Sequence, residues 1–196
     1  GGTSFIRVTD NGSGIDRDQV AVAFLRHSTS KIRVVEDLFH VASLGFRGEA
    51  LSSIASIAMV ELITKTRDAD AGVRYVIEGG AEKKLEDMAA PDGTTFLVRS
   101  LFYNTPARRK FLKSPMTEAG YISDLMERLA LSRPDISFQF INNGQTKLHT
   151  SGNHNLKDVI YHIYGRDIAA NLAEIDAVQG PVRITGFIGK PVISRG

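Results

Sequence analysis

From Ala58 onward the chain reads as four β-rich runs in close succession, at 59–66, 73–79, 82–87 and 94–100. Gly79-Gly80 and Pro91-Asp92-Gly93 are the punctuation between them. A fifth run at 4–9 (Ser-Phe-Ile-Arg-Val-Thr) precedes the turn Asp10-Asn11-Gly12-Ser13-Gly14. Helical stretches are expected from about Arg17 to Arg26 and from Gly48 to Ala58, with a mixed, loop-rich segment at 28–47 between them. The small residues of 48–58 suit close packing on a sheet. Helices laid on a mostly antiparallel sheet predict a two-layer α/β (α+β) sandwich.

A second unit is expected to begin near Tyr103-Asn104-Thr105-Pro106, giving domains at 1–102 and 103–196. Ser114-Pro115 is a helix entry, a hydroxyl cap followed by proline at the first helical position. Ile122, Leu125, Met126, Leu129 and Ala130 then recur at helical spacing until Pro134. Asn142-Asn143-Gly144 sits between two short β-like runs and predicts a hairpin. Leu156, Val159, Ile160 and Ile163 form another helical stripe, stopped by Gly165, and 181–189 reads as a strand. The expected order of the second unit is β-α-β-β-α-β.

Composition removes several classes. With 42% hydrophobic and 23% charged residues in 196, the chain can build a core. The net charge of +2 does not argue for nucleic acid, so any DNA surface must be a local patch. There is no cysteine, hence no disulfide framework and no thiolate metal site. The five histidines lack metal-ligand spacing. No apolar run approaches the roughly 20 residues that span a bilayer. The beginning, Gly1-Gly2-Thr3-Ser4-Phe5, has no signal pattern and runs at once into strand-like sequence, so the chain is read as a segment that starts mid-domain.

Three segments carry chemistry: Asp10-Asn11-Gly12-Ser13-Gly14-Ile15 after a strand, Leu44-Gly45-Phe46-Arg47-Gly48-Glu49-Ala50-Leu51 opening a helix, and Gly93-Thr94-Thr95 opening a strand. Glycine-bounded loops let backbone approach a ligand closely. The free N–H groups of a helix start favour an anion. A carboxylate such as Asp10 accepts hydrogen bonds from an exocyclic amine, and a threonine hydroxyl on the neighbouring strand completes a base pocket. Together these suggest a purine nucleotide with its phosphates on a helix N-terminus. Neither a P-loop nor a Rossmann fingerprint is present; Gly186-Phe187-Ile188-Gly189-Lys190-Pro191 lacks the spacing and the hydroxyl.

Asp-x-Gly-x-Gly after a strand, a glycine-rich helix start and a Gly-Thr strand resemble the GHKL ATPase superfamily, and so the GHKL (Bergerat) fold. Within it, Gly45-Phe46-Arg47-Gly48-Glu49-Ala50-Leu51 resembles the signature of the MutL family of DNA mismatch repair proteins. Arg26-His27-Ser28-Thr29-Ser30-Lys31-Ile32 and Phe102-Tyr103-Asn104-Thr105-Pro106-Ala107-Arg108 resemble further segments of that family. Gyrase-type relatives would show Gly-Leu-His-Gly-Val-Gly in place of the signature.

The resemblance implies an ATP or ADP site. Asp10 would hold the adenine amino group, Gly14 would let the base pack on the turn, and Thr94 would assist Asp10. Thr29, Ser30 and Lys31 would belong to the loop folding over the nucleotide. Leu44, Gly45, Phe46, Arg47, Gly48 and Leu51 would line the phosphate loop and its helix. The general-base glutamate and the Mg2+-binding asparagine of such enzymes lie on a helix with a Glu-Asn-x-x-Asp-Ala pattern, which this sequence lacks. The parent would be an ATPase, whereas this chain alone is expected to bind nucleotide without hydrolysing it. Residues 103–196 resemble the transducer domain, of ribosomal-protein-S-five-like β-α-β type. Nucleotide-dependent dimerisation, DNA and a MutS-type mismatch-recognition partner follow from the same resemblance, and the missing targeting signals lead to the expectation of a bacterial, cytoplasmic, nucleoid-associated setting.

Other readings stay open for single motifs. Asp10 and its glycines taken alone supply a plain turn. Arg108-Arg109-Lys110, the densest basic run, is either a solvated edge or a contact to DNA phosphates. On the second of these, the chain would be a nucleotide-independent DNA- or partner-binding module.

Overall fold

A computed structural model describes residues 2–26 and 48–194. The chain divides into two compact units after Lys113. The first contains β1 (Phe5–Asp10), α1 (Arg17–Val20), α2 (Ala50–Ile57), β2 (Met59–Lys65), β3 (Gly72–Glu78), β4 (Ala81–Met88), β5 (Gly93–Arg99) and α3 (Pro106–Arg109). The second contains α4 (Pro115–Ser132), β6 (Gln139–Asn142), β7 (Gln145–His149), α5 (Leu156–Tyr164), α6 (Arg166–Ala170), β8 (Leu172–Gln179) and β9 (Val182–Gly189).

In the first unit five strands form one sheet in the order β1-β5-β2-β3-β4, with every neighbouring pair antiparallel. Alternation sets its two faces. Val60 and Leu62 of β2 and Val73, Tyr75 and Ile77 of β3 point to the covered face, all at most 5% exposed. Ala55 of α2 and Ala58 just after it close that layer, with Val20 and Phe24 from the segment after β1. The opposite face is polar: Arg74 lies between Glu61, at 2.5 Å, and Glu86, at 2.9 Å. Arg17 of α1 pairs with Asp87 of β4.

The single helix expected at 17–26 is two short pieces, α1 and a 3₁₀ turn at Val22–Phe24. β-branched Val20 and Val22 favour no long helix, and tertiary packing of Val20 and Phe24 decides the path. The expectation for 28–47 lies outside the described residues.

The division falls later than the expected 102/103. Leu101 N–H donates to the Thr3 carbonyl and Phe102 N–H to that of Ile57. The Asn104 amide donates to the Ser56 carbonyl at 2.9 Å. These bonds keep α3 with the first sheet.

In the second unit Ser114 caps α4 by accepting the Thr117 N–H at 3.2 Å, and Asn155 caps α5 by accepting that of Asp158 at 3.2 Å. The β6–β7 hairpin turns at Asn143-Gly144, both at positive φ (50° and 77°), as a primed two-residue turn requires. Ala130, Leu148 and Val159 form its core, joined by Met126, Phe138, Phe140 and Ile163. The observed order, α-β-β-α-α-β-β, corrects the expected β-α-β-β-α-β. No strand precedes α4 within this unit among the described residues, and Leu172–Gln179 is a strand that the sequence pattern does not show. Its sequence, Leu-Ala-Glu-Ile-Asp-Ala-Val-Gln, is rich in helix formers. Pairing with β9 across Gly180-Pro181 overrides that preference.

Candidate functional site

The site is assembled at one end of the first sheet. Asp10, Thr94 and Thr64 are direct cross-strand neighbours on β1, β5 and β2. Opposed residues project to the same face, so the three side chains stand in a row on the face that α2 covers further along. Thr64 is 1% exposed and Thr94 8%, whereas Asp10 is exposed. The Asp10 Oδ1 atom accepts the Gly12 N–H at 2.8 Å, which fixes the carboxylate and leaves Oδ2 without a hydrogen bond among the described residues.

Two glycines bring backbone segments closer than any side chain would allow. Gly14 has φ +73°, and a Cβ there would collide with the Lys65 carbonyl. Gly93 has φ +108°, and a Cβ there would collide with the Asp10 carbonyl. The post-β1 turn is thus pressed onto the end of β2, and the start of β5 onto the end of β1. Lys65 Nζ donates to Asp92 at 2.8 Å and fixes the turn before β5. That contact holds the Asp92 carboxyl below its ordinary range.

Sequence reasoning named Asp10, Gly14 and Thr94, and the structure brings them together. It missed Thr64, whose hydroxyl accepts the Ile15 N–H at 2.9 Å and lies 3.1 Å from both the Gly93 carbonyl and the Thr94 hydroxyl. The available signal was phase: Thr64 continues the inward alternation of Val60 and Leu62, where a polar residue is out of place.

α2 and β2 are joined only by Ala58. α2 therefore runs back along the sheet, and its N-terminus lies toward the Asp10 end. The first-turn residue Leu51 packs on the core, and Gly48 precedes the helix with φ +63°. At the other end the α2 carbonyls of Ala55 and Ile57 accept from Gly80 and Phe102. The N–H groups of a helix start suit an anion, and a carboxylate beside a hydroxyl suits an exocyclic amine. Thr29, Ser30, Lys31, Leu44, Gly45, Phe46 and Arg47 lie outside the described residues.

Arg108, Arg109 and Lys110 are exposed at and just after α3. Among the described residues none of the three has an ion-pair partner. They lie toward the opposite end of the sheet, where β5 ends at Arg99 opposite Phe5. The structure does not bring them to the Asp10 row. Among the described residues no His/Asp/Glu cluster suited to a metal is present, and no helix is long and apolar enough to cross a membrane.

Sheet, glycine contacts and polar row together define a GHKL-type ATPase fold, and comparison with solved structures agrees. The N-terminal domain of a DNA repair protein superposes with a TM-score of 0.74 at 26% identity, over 96% of this chain and 59% of that one. The Aquifex aeolicus MutL ATPase domain complexed with ADP superposes with a TM-score of 0.66 at 28% identity, over 89% of this chain and 60% of that one. No family model matches the chain. Among curated proteins, the DNA mismatch repair protein MutL of Agathobacter rectalis is 68% identical over all 196 residues. The chain belongs to the MutL family and spans about 30% of that relative's length.

Proposed function

We propose that the chain is the purine-binding part of an ATP-switched DNA mismatch repair ATPase. The observation that carries this reading is the row Asp10–Thr94–Thr64 beside two glycine contacts that only a bare backbone permits. Asp10 Oδ2 receives the exocyclic amine of adenine. Gly14 gives the base a flat backbone to lie on, and Thr94 supplies a second polar contact. The start of α2, with Gly48, Leu51 and the Leu44–Arg47 stretch before it, receives the phosphates. Thr29, Ser30 and Lys31 fold over the nucleotide. The bound solved relative, described as complexed with ADP, supports the choice of ligand.

In the whole protein, Mg2+ and a carboxylate base complete the hydrolytic site. The 196 residues here hold no Glu-Asn-x-x-Asp-Ala segment, so this chain binds nucleotide without turning it over. The second unit is the transducer. Nucleotide binding orders the site and favours a dimer through differential affinity for the ordered state. That dimer engages DNA and a MutS-type partner and couples mismatch recognition to strand incision. Arg108, Arg109 and Lys110, exposed and unpaired among the described residues, contact DNA phosphates.

Titration calorimetry with ADP tests the site. Asp10→Asn replaces a pure acceptor by a group that also donates, and is expected to weaken binding by at least about tenfold with the fold retained. Unchanged affinity removes Asp10 from the site. DNA binding that is steep in salt and indifferent to nucleotide would instead favour a nucleotide-independent module built on Arg108–Lys110.

A further inference from the structure

Thr64 is a buried polar side chain with three hydrogen-bonding neighbours, and the chemistry of a hydroxyl restricts how it satisfies them. It has one proton and two lone pairs. The Ile15 N–H, at 2.9 Å, uses one lone pair. The Gly93 carbonyl, at 3.1 Å, is an acceptor only, so that contact uses the Thr64 proton. The remaining contact, 3.1 Å to the Thr94 hydroxyl, then runs in one direction: Thr94 donates and Thr64 accepts. This is the arrangement in which all three bonds form. Reversing the Thr64–Thr94 bond takes the Thr64 proton away from the Gly93 carbonyl and loses one of the three buried bonds.

The consequence falls on the ligand side. With its proton turned toward Thr64, Thr94 presents only lone pairs to the space beside Asp10. Asp10 is itself an acceptor with Oδ2 open. We infer that Thr64 is a positioning and specificity-determining residue that fixes Thr94 as an acceptor, so that the Asp10–Thr94 pair admits a purine bearing a 6-amino group and rejects one bearing a 6-oxo group. The inference rests on the nucleotide reading above and adds a residue and a discrimination to it. An amino group offers protons to two acceptors, directly or through a water, whereas a carbonyl facing the same pair meets only lone pairs. Thr64 also ties the turn after β1 to β2 and the start of β5 through the same oxygen, so orientation and discrimination share one hydroxyl.

The experiment compares ADP with inosine diphosphate, which carries a 6-oxo group and a proton on N1 where ADP has a 6-amino group and a bare N1, on the full 196-residue chain. Affinities for both are measured with wild type, Thr64→Val, Thr64→Ser and Thr94→Val, alongside the melting temperature without nucleotide. Wild type is expected to prefer ADP by at least about tenfold, the discrimination of one charge-assisted bond. Thr64→Val frees the Thr94 proton, so the ADP/inosine diphosphate ratio is expected to fall several-fold, and Thr64→Ser is expected to restore it. Thr94→Val keeps Thr64 and is expected to narrow the ratio as well, which covers the case in which Thr64→Val does not fold. A ratio unchanged in Thr64→Val, or in Thr94→Val if the former is unfolded, overturns the inference, even if melting temperature drops. Failure of Thr64→Ser to restore the ratio overturns it also. No ADP binding by wild type overturns the nucleotide reading itself, and a wild type that binds ADP with an invariant ratio across variants overturns only the role of Thr64.

Discussion

The two units are built from similar material and reach different degrees of order. The first joins five strands in one sheet and buries a continuous layer from Val20 to Ile77. The second divides four strands into two separate ribbons and fully buries only Ala130, Leu148 and Val159 in its main cluster. The β8–β9 ribbon leaves Val182, Ile184 and Ile188 more than half exposed. A polar site needs a rigid surround, because a buried hydroxyl or fixed carboxylate has value only if its geometry is held. The continuous sheet supplies that surround, and Asp10, Thr94 and Thr64 stand at its end.

The largest expected effect separates the two cores. Leu62 is 0% exposed in the centre of the sheet. Leu62→Ala is expected to cost about 3–5 kcal/mol in urea unfolding, and Leu148→Ala, in the smaller cluster, about 2–3 kcal/mol. Equal costs would break the contrast between the cores. Gly14→Ala comes next. Its Cβ meets the Lys65 backbone at φ +73°, so it is expected to displace the turn, destabilise the first unit by more than about 1 kcal/mol and weaken ADP binding at least about tenfold. Gly144→Ala is the matched control in the second unit: φ is +77°, but a Cβ there meets nothing within 4 Å. It is expected to cost about 1 kcal/mol by conformation alone and to leave ADP affinity unaltered.

The smallest effect concerns pH. Arg133 grips Asp135 at 2.9 and 2.5 Å and holds its carboxyl down to about 2. A depressed carboxyl stabilises the fold above its ordinary range, and the contribution is lost as pH falls through that range toward about 2. The pair is exposed, so the effect is small. Arg133→Gln is expected to flatten the acid limb of a stability–pH curve over that window, read by thermal melts between pH 2 and 5; an unchanged limb would show that the ion pair contributes nothing.

Where local chemistry and tertiary demand agreed, the sequence was sufficient. Gly79-Gly80, Asn143-Gly144 and Ser114-Pro115 each mark a boundary that the backbone keeps, because φ or capping decides them locally. The four runs from 59 to 100 lie within one residue of their observed ends. β8 was not legible, since Leu172, Ala173 and Glu174 prefer helix and only its partner makes it a strand. The boundary after Lys113 depends on hydrogen bonds from residues 101–104 to Thr3, Ile57 and Ser56, far apart in sequence. In the site, Asp10, Gly14 and Thr94 announced themselves by motif. Thr64 did not, because a threonine in a β-rich run is ordinary until its phase and its neighbours across two strands are known.

Hydrogen exchange of the chain with and without ADP tests the central claim most directly, because it locates the ligand. Slowed exchange at residues 10–15 and 93–96, with the β6–β7 hairpin at 139–149 unchanged, is the predicted result. Protection confined to the second unit, or none at saturating ADP, would contradict the assignment of a purine site to the Asp10–Thr94–Thr64 row.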